Sequence, residues 1–208
     1  MSSCPTHRLA QENPLSAFQP VELHHASRLI NHGPTVLVTA AHHGHRNIMA
    51  AAWSMPVEFT PPRIAVVVDK STFTRELITG GGGFALCIPG ANAIDLTYAV
   101  GSCSGREMDK FAHFGVTSTN APVLGMPVIE QGCAAWLECR WLPEAHTEDA
   151  YDTFFGEVVA AAADPRIFSE GHWHFSHDNA DLHTIHHLGA GKFVIAGNQI
   201  AAKALDPA

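Results

Sequence analysis

Asn47-Ile-Met-Ala-Ala-Ala-Trp53 is a strand-like run of small residues with an amide at one end and an indole at the other. Small side chains let a flat ligand come close to the backbone. Asn47 can hydrogen-bond that ligand and Trp53 can cover it. Before this run stands Thr35-Val-Leu-Val-Thr-Ala40, rich in β-formers, and between the two lies the polar turn His42-His-Gly-His45. Two strand signals around a glycine-containing turn predict a hairpin.

Working outward, Pro61-Pro62 restarts the chain in extended form, and Arg63-Ile-Ala-Val-Val-Val68 reads as a buried strand. Ser71 or Thr72 is placed to cap a short helix reaching Ile78, with Glu76 as an acid near its start. Gly80 to Gly83 then read as a helix stop and turn, because a strand, Phe84-Ala-Leu-Cys-Ile88, follows. A phosphate cradle would need GK[ST] and a helix after those glycines. Helices are expected over 93–100 and 108–114, and strands over 134–142 and 154–161 with a polar loop at 143–149. A short helix over 181–187 and a last strand over 192–196 complete the pattern. Residues 1–22, with Pro5, Pro14 and Pro20, read as an N-terminal arm, and 23–208 as a single domain. Many short strands with few helices predict a mainly β fold, a β-barrel carrying peripheral α-helices.

Composition narrows the function. Hydrophobic residues make up 46% and charged residues 15%, which suits a large core and not a disordered chain. A net charge of -8 argues against nucleic-acid binding, which needs clustered Lys and Arg. No apolar run approaches a membrane span, and no apolar stretch of a signal peptide follows Arg8. The five cysteines, Cys4, Cys87, Cys103, Cys133 and Cys139, have no CxxC spacing. They read as free thiols in a reducing cytoplasm, most of them small core residues.

No GxGxxG opens a helix after a strand, and there is no GxSxG and no HExxH. Nothing in the spacing favours a thiol hydrolase built on Cys87 or Cys103 with a histidine. Fifteen histidines invite a metal reading. His172 and His174 would share a strand face, and His183 and His187 a helix face. Surface positions and a polar hairpin tip at His42 to His45 are the stronger reading.

A cluster of one ammonium and three hydroxyls, Lys70-Ser71-Thr72-Phe73-Thr74, sits at a strand-to-helix junction where the helix end adds positive potential. It reads equally as an anion site or as a plain helix cap with a solvated lysine. Further on, Ser104-Gly-Arg-Glu-Met-Asp-Lys-Phe111 supplies two cations four residues apart. On a helix they would share one face. Arg106 and Lys110 could equally pair with Glu107 and Asp109 on a solvated surface.

Taken in order, these pieces resemble the FMN-binding split-barrel proteins of the flavin reductase and flavoredoxin type. The resemblance runs from about Leu29 to Gly197. It rests on the Asn47–Trp53 strand, Pro61-Pro62, Asp69-Lys-Ser-Thr-Phe-Thr74, Phe84-Ala-Leu-Cys-Ile-Pro89, Ser104 to Phe111, Gly156-Glu-Val158 and His186-His-Leu-Gly-Ala-Gly-Lys-Phe193. It implies a Greek-key split β-barrel that dimerises and binds FMN near the subunit interface, with FAD the less favoured alternative. Carried over by position, Asn47, Met49, Ala50, Ala51 and Trp53 would line the flavin. Ser71 and Thr74, with Lys70 nearby, would meet the phosphate. Ser104, Gly105, Arg106 and Lys110 would supply a polar, cationic side, with His187 and Phe193 close to the ring. Relatives often carry Tyr at the position of Phe193, so the hydroxyl contact is absent here.

The implied activity is hydride transfer from NAD(P)H to the flavin, then electron delivery to free flavin or another acceptor, with an oxygenase or other redox protein as partner. No catalytic side chain is assigned. The alternatives are a flavoredoxin-like electron carrier and a split barrel that holds haem or a metal through its histidines.

Overall fold

The structure is a computed structural model, and it describes residues 33–169 and 172–203. The expected arm over 1–22 and Cys4 lie outside the described residues.

The first hairpin forms as its sequence predicts. Strand β1 (Val36–His42) and strand β2 (His45–Ala51) pair antiparallel from Val36↔Ala51 to His42↔His45. The two turn residues, His43 and Gly44, both take positive φ, 48° and 80°. Two such residues match the twist of the flanking strands.

Strand β3 (Ser54–Phe59) follows, then β4 (Pro62–Val67), helix α1 (Phe73–Gly81) and β5 (Gly83–Pro89). Gly82, at φ 72°, ends α1 in the left-handed conformation, with its N–H on the Ile78 carbonyl. A 3₁₀ turn at Ala91–Ala93 leads into α2 (Ile94–Gly101), and α3 (Lys110–His113) comes after a loop. Two short strands, β6 (Thr119–Asn120) and β7 (Pro127–Val128), precede β8 (Cys133–Leu142), α4 (Ala145–Tyr151) and β9 (Thr153–Ala163). The chain continues through β10 (Phe168–Ser169), β11 (His172–Trp173) and a 3₁₀ turn at His177–Leu182, to β12 (Ile185–Gly189) and β13 (Lys192–Ile195).

Seven strands form the main sheet in the order β2-β1-β5-β8-β9-β4-β3, every pairing antiparallel. This is the mainly β split barrel with peripheral helices. Alternate residues of β1 and β5 go to opposite faces. Val36, Val38, Phe84 and Leu86 join Ile78, Val66 and Phe154 on one face. Leu37, Ala85 and Cys87 join Val100, Phe111, Met126 and Ile129 on the other. Apolar material on both faces explains why these strands read as nearly continuous hydrophobic runs.

Four expectations need correction. β3 was not among the expected strands; its Pro56 is tolerated because β3 is an edge strand. The expected polar loop over 143–149 contains α4. That helix is tied down by Glu148, whose carboxylate accepts from the Trp141 indole N–H and the Glu144 amide, both at 2.9 Å. The helix expected over 108–114 is only Lys110–His113, started by the Asp109 carboxylate, which accepts from the amides of Phe111 and Ala112. The helix expected over 181–187 is instead the end of a 3₁₀ turn followed by β12. Pairing with β13 overrides local preference there, across a turn in which Gly189, Ala190 and Gly191 all have positive φ. His183 and His187 therefore share no helix face. His174 lies outside β11 and contacts the Ser169 hydroxyl at 2.9 Å. Among the described residues, no three metal-ligating side chains gather, and no helix is long and apolar enough to cross a membrane.

Candidate functional site

A cleft of about 430 Å³ lies between β2, the start of α1 and the loop from α2 to α3. β2 contributes Asn47, Met49 and Ala50. The α1 junction contributes Ser71, Thr72, Phe73 and Thr74. The third wall runs from Val100 through Ser104 and Gly105 to Lys110. Eight of the residues chosen from sequence thus line one space, from three separate parts of the chain.

Asn47 is 3% exposed and its amide nitrogen donates to the Thr74 hydroxyl at 2.9 Å. Its amide oxygen faces Gly105 so closely that a Cβ there would stand 2.2 Å away. Gly105 is therefore required for the loop to close on β2. Gly105→Ala is expected to push the loop off Asn47 and weaken ligand binding, with the loss read by titration. Unchanged affinity would show that the loop does not shape the site.

The helix end in this cleft is open. Thr72 occupies the cap position of α1 without a side-chain cap; its hydroxyl donates to the Asp69 carbonyl instead. The Ser71 hydroxyl and amide go to the Asp69 carboxylate, which is drawn below its ordinary value by those bonds. Uncapped first-turn amides at the positive end of a nine-residue helix suit an anion.

Lys110 departs most from expectation. It is not on a solvated face: it is 3% exposed, and its ammonium donates to the Val100 carbonyl at 2.6 Å. Burial pulls its pKa below the ordinary value, and nearby Cys103 acts in the opposite direction. No carboxylate forms an ion pair with it among the described residues. A buried ammonium without an anion is costly unless something else supplies one. Nor do Arg106 and Lys110 share a helix face, because α3 begins only at Lys110. Arg106 bonds Glu76 across 2.5 Å, rather than Glu107 or Asp109, and its guanidinium stands 5.7 Å from the Phe73 ring centre.

A smaller cavity, about 160 Å³, adjoins the first and shares Ala50, Gly101 and Ser102 with it. Ala51 and Ala52 of the small-residue run line it, with His187 and Phe193 opposite. Those two rings lie 5.0 Å apart, and the hairpin bearing them is seated by the His187 amide on the Thr35 hydroxyl at 2.9 Å. Thr97 and Tyr98 of α2 also line this cavity, and sequence reasoning missed them. No local pattern in the sequence pointed to them; in the fold Tyr98 lies against Gly191, where a Cβ would come within 3.2 Å of its ring.

Three selected residues line neither cavity. Trp53 is 56% exposed just beyond β2. Lys70 turns away, donating to the Asp149 carbonyl and standing 3.9 Å from Asp152. Arg106 is held outside by Glu76. Cys87, weighed as a nucleophile from sequence, is fully buried, and burial pushes its thiol up to about 12.

Comparison with known proteins agrees with this fold. The model of the flavin reductase like domain matches residues 28–180, which takes in all of the larger cleft and stops before the β12–β13 hairpin. An uncharacterized protein of Escherichia coli (strain K12), YddH, is 58% identical over 190 residues, covering 90% of this chain and 100% of that protein. A solved FMN-binding domain of a flavin reductases-like enzyme from Shewanella baltica OS155 superposes with a TM-score of 0.78 at 41% identity, covering 88% of this chain and 96% of that one. Flavoredoxin of Desulfovibrio vulgaris (Miyazaki F) gives 0.71 at 25% identity, covering 84% and 92%. A family match over most of the chain, a split barrel with the same architecture and a cleft that ends on an open helix N-terminus lead to one assignment: the chain belongs to the flavin reductase-like domain family.

Proposed function

We propose that the chain is an FMN-binding oxidoreductase, reduced by NAD(P)H and delivering electrons to free flavin or to a redox partner such as an oxygenase. The single observation that carries this reading is the larger cleft. It joins a strand of small residues, an uncapped helix N-terminus and a buried, anion-free ammonium. These features fit a flat ring bearing a phosphate tail. Met49 and Ala50 would lie against the ring, and the Asn47 amide, fixed by Thr74, would meet a polar edge. Ser71, Thr74 and the first amides of α1 would hold the phosphate. Lys110 would face the polar side of the ring, where positive charge favours a reduced, anionic flavin. His187 and Phe193 would close the adjoining cavity. The bound flavin itself supplies the hydride acceptance and the electron transfer.

The domain from about residue 23 is read as a cytoplasmic homodimer. Trp53, Met55 and Val57 support the assembly: they alternate along the edge strand β3 and its approach, all of them exposed. Such a row suits a self-complementary contact. Likeness to flavoredoxin supports a second reading, an electron carrier that holds FMN without rapid NAD(P)H turnover.

Titration of apo protein with FMN, followed by fluorescence quenching, is expected to saturate at micromolar protein, equivalent to about 8 kcal/mol. Failure to saturate would sink the flavin reading. Stopped-flow reduction with NADH and NADPH then separates a reductase from a carrier, and light scattering on the same sample reads the dimer.

A further inference from the structure

We propose that Glu76 is an internal competitor for Arg106, so that flavin affinity is set by exchange of this guanidinium between the Glu76 carboxylate and the ligand's phosphate. The inference rests on the FMN reading above and concerns what tunes that site.

The cations around the cleft differ in how they are held. Lys110 is buried on the Val100 carbonyl. Lys70 is turned toward Asp149 and Asp152. Arg75 bonds Asp152 at 2.7 Å and the Glu148 carbonyl at 2.9 Å, and stands 5.0 Å from the Phe154 ring centre. Arg46 lies 4.2 Å from the Phe111 ring centre and bonds the Ser118 hydroxyl. Arg106 is held differently: among the described residues it pairs with the single carboxylate of Glu76, and both side chains are about half exposed, at 44% and 58%.

Position makes that pair relevant to the ligand. Arg106 directly follows Ser104 and Gly105, which line the cleft, and Glu76 lies in the first turn of α1. The guanidinium already sits near Phe73, the first residue of that helix. A phosphate bound at the open helix end would therefore lie beside both groups. It would attract Arg106 and be repelled by the Glu76 carboxylate, whose pKa the Arg106 hydrogen bond draws below its ordinary value. An exposed carboxylate pair breaks at little cost, whereas a phosphate offers bidentate, doubly charged recognition. Glu76 holds the arginine near the cleft when the site is empty, and opposes the phosphate when it fills.

The test is a set of fluorescence-quenching titrations with FMN and with riboflavin, which lacks the phosphate, on the parent chain, Glu76→Gln, Arg106→Ala and the double variant. Glu76→Gln is expected to bind FMN roughly three- to tenfold more tightly, the scale of one exposed charge pair plus relieved repulsion. Arg106→Ala is expected to bind FMN about tenfold more weakly. Glu76→Gln should gain less in the Arg106→Ala background than in the parent chain, because only relieved repulsion remains there, and riboflavin affinity should be the same in all four chains. FMN affinity that is unchanged or weakened in Glu76→Gln overturns the proposal, because Glu76 would then be positioning Arg106 rather than competing for it. A gain of the same size without Arg106, or one that appears with riboflavin, also overturns it. Failure is separable from failure of the flavin reading, since that reading falls only if the parent chain itself does not bind FMN.

Discussion

Glu138→Ala is expected to melt about 10 °C below the parent chain, on a scale of roughly 2–4 °C per kcal/mol for a chain of this size. Glu138 lies in β8, fully buried. One carboxylate oxygen accepts from the amides of Leu124 and Met126, at 2.8 and 3.1 Å, and the other from the amide of Val123 at 2.9 Å. The side chain thus organises the turn before β7 and holds Met126 in the core. Truncation leaves three amides without their acceptor, one fully buried and two partly so. At about 1–3 kcal/mol for each donor left unpaired, a total near 3–5 kcal/mol follows. Glu138→Gln keeps the volume but turns an NH₂ toward an N–H donor, so it should fall between the other two. Thermal melts of the three purified chains decide the matter. An alanine variant melting within a degree or two of the parent would mean that water replaces the carboxylate without penalty.

The second large effect concerns Lys110. Lys110→Met fills the same space without the charge. Loss of a charge-assisted contact to an anionic ring or phosphate costs about 1.5–3 kcal/mol, so FMN affinity should drop roughly ten- to a hundredfold. Apo stability should hold or rise, because an apolar isostere of a buried, unpaired ion is commonly neutral or stabilising. A surface lysine would give no such separation. The pH dependence has a definite sign. The folded chain lowers the pKa of Lys110 from its ordinary 10.5, burial being the larger cause. Between the lowered value and 10.5 the unfolded chain therefore binds more protons than the folded one. The penalty of the buried charge is full below the folded value and is relieved as pH rises through that window. Apo stability of the parent should gain from this group over that range, and the methionine variant should lack the gain. Equal FMN affinity in the two chains would remove Lys110 from the flavin site.

Much of the fold was legible because β1, β4, β5, β8 and β9 are runs of apolar residues, β1 and β5 mostly buried and the others in part, and glycine turns bound β1 and β5. β12 was not, since its histidines acquire strand geometry only from β13. α4 was not, since its Glu148 anchor to Trp141 is a contact across the helix boundary rather than a periodicity. In the site, residue type pointed to Asn47, Ser71, Thr74 and Lys110, and the family resemblance added Ser104 and Gly105; the fold gathers all six around one cleft, while Lys70 and Arg106, also picked by type, stand outside it. Partnership could not be read in the same way. Glu76 and Arg106 stand thirty positions apart in the chain, and no local pattern joins them. Nor does a lysine in a short, charged segment announce that it will be buried under Val100.

The strand order carries a consequence for how the molecule comes into being. β1 and β2 form one end of the main sheet and β3 and β4 the other, while β5, β8 and β9 fill the middle. A ribosome therefore releases two separate hairpins first, each with a bare inner edge, and neither can join the other until the 96 further positions from Val67 to Ala163 have emerged through β9. Such non-local closure is slow compared with helix formation. Until it occurs, the nascent chain displays the very edges that other strands would pair with, and protection by chaperones matters most in the interval between the synthesis of β4 and that of β9.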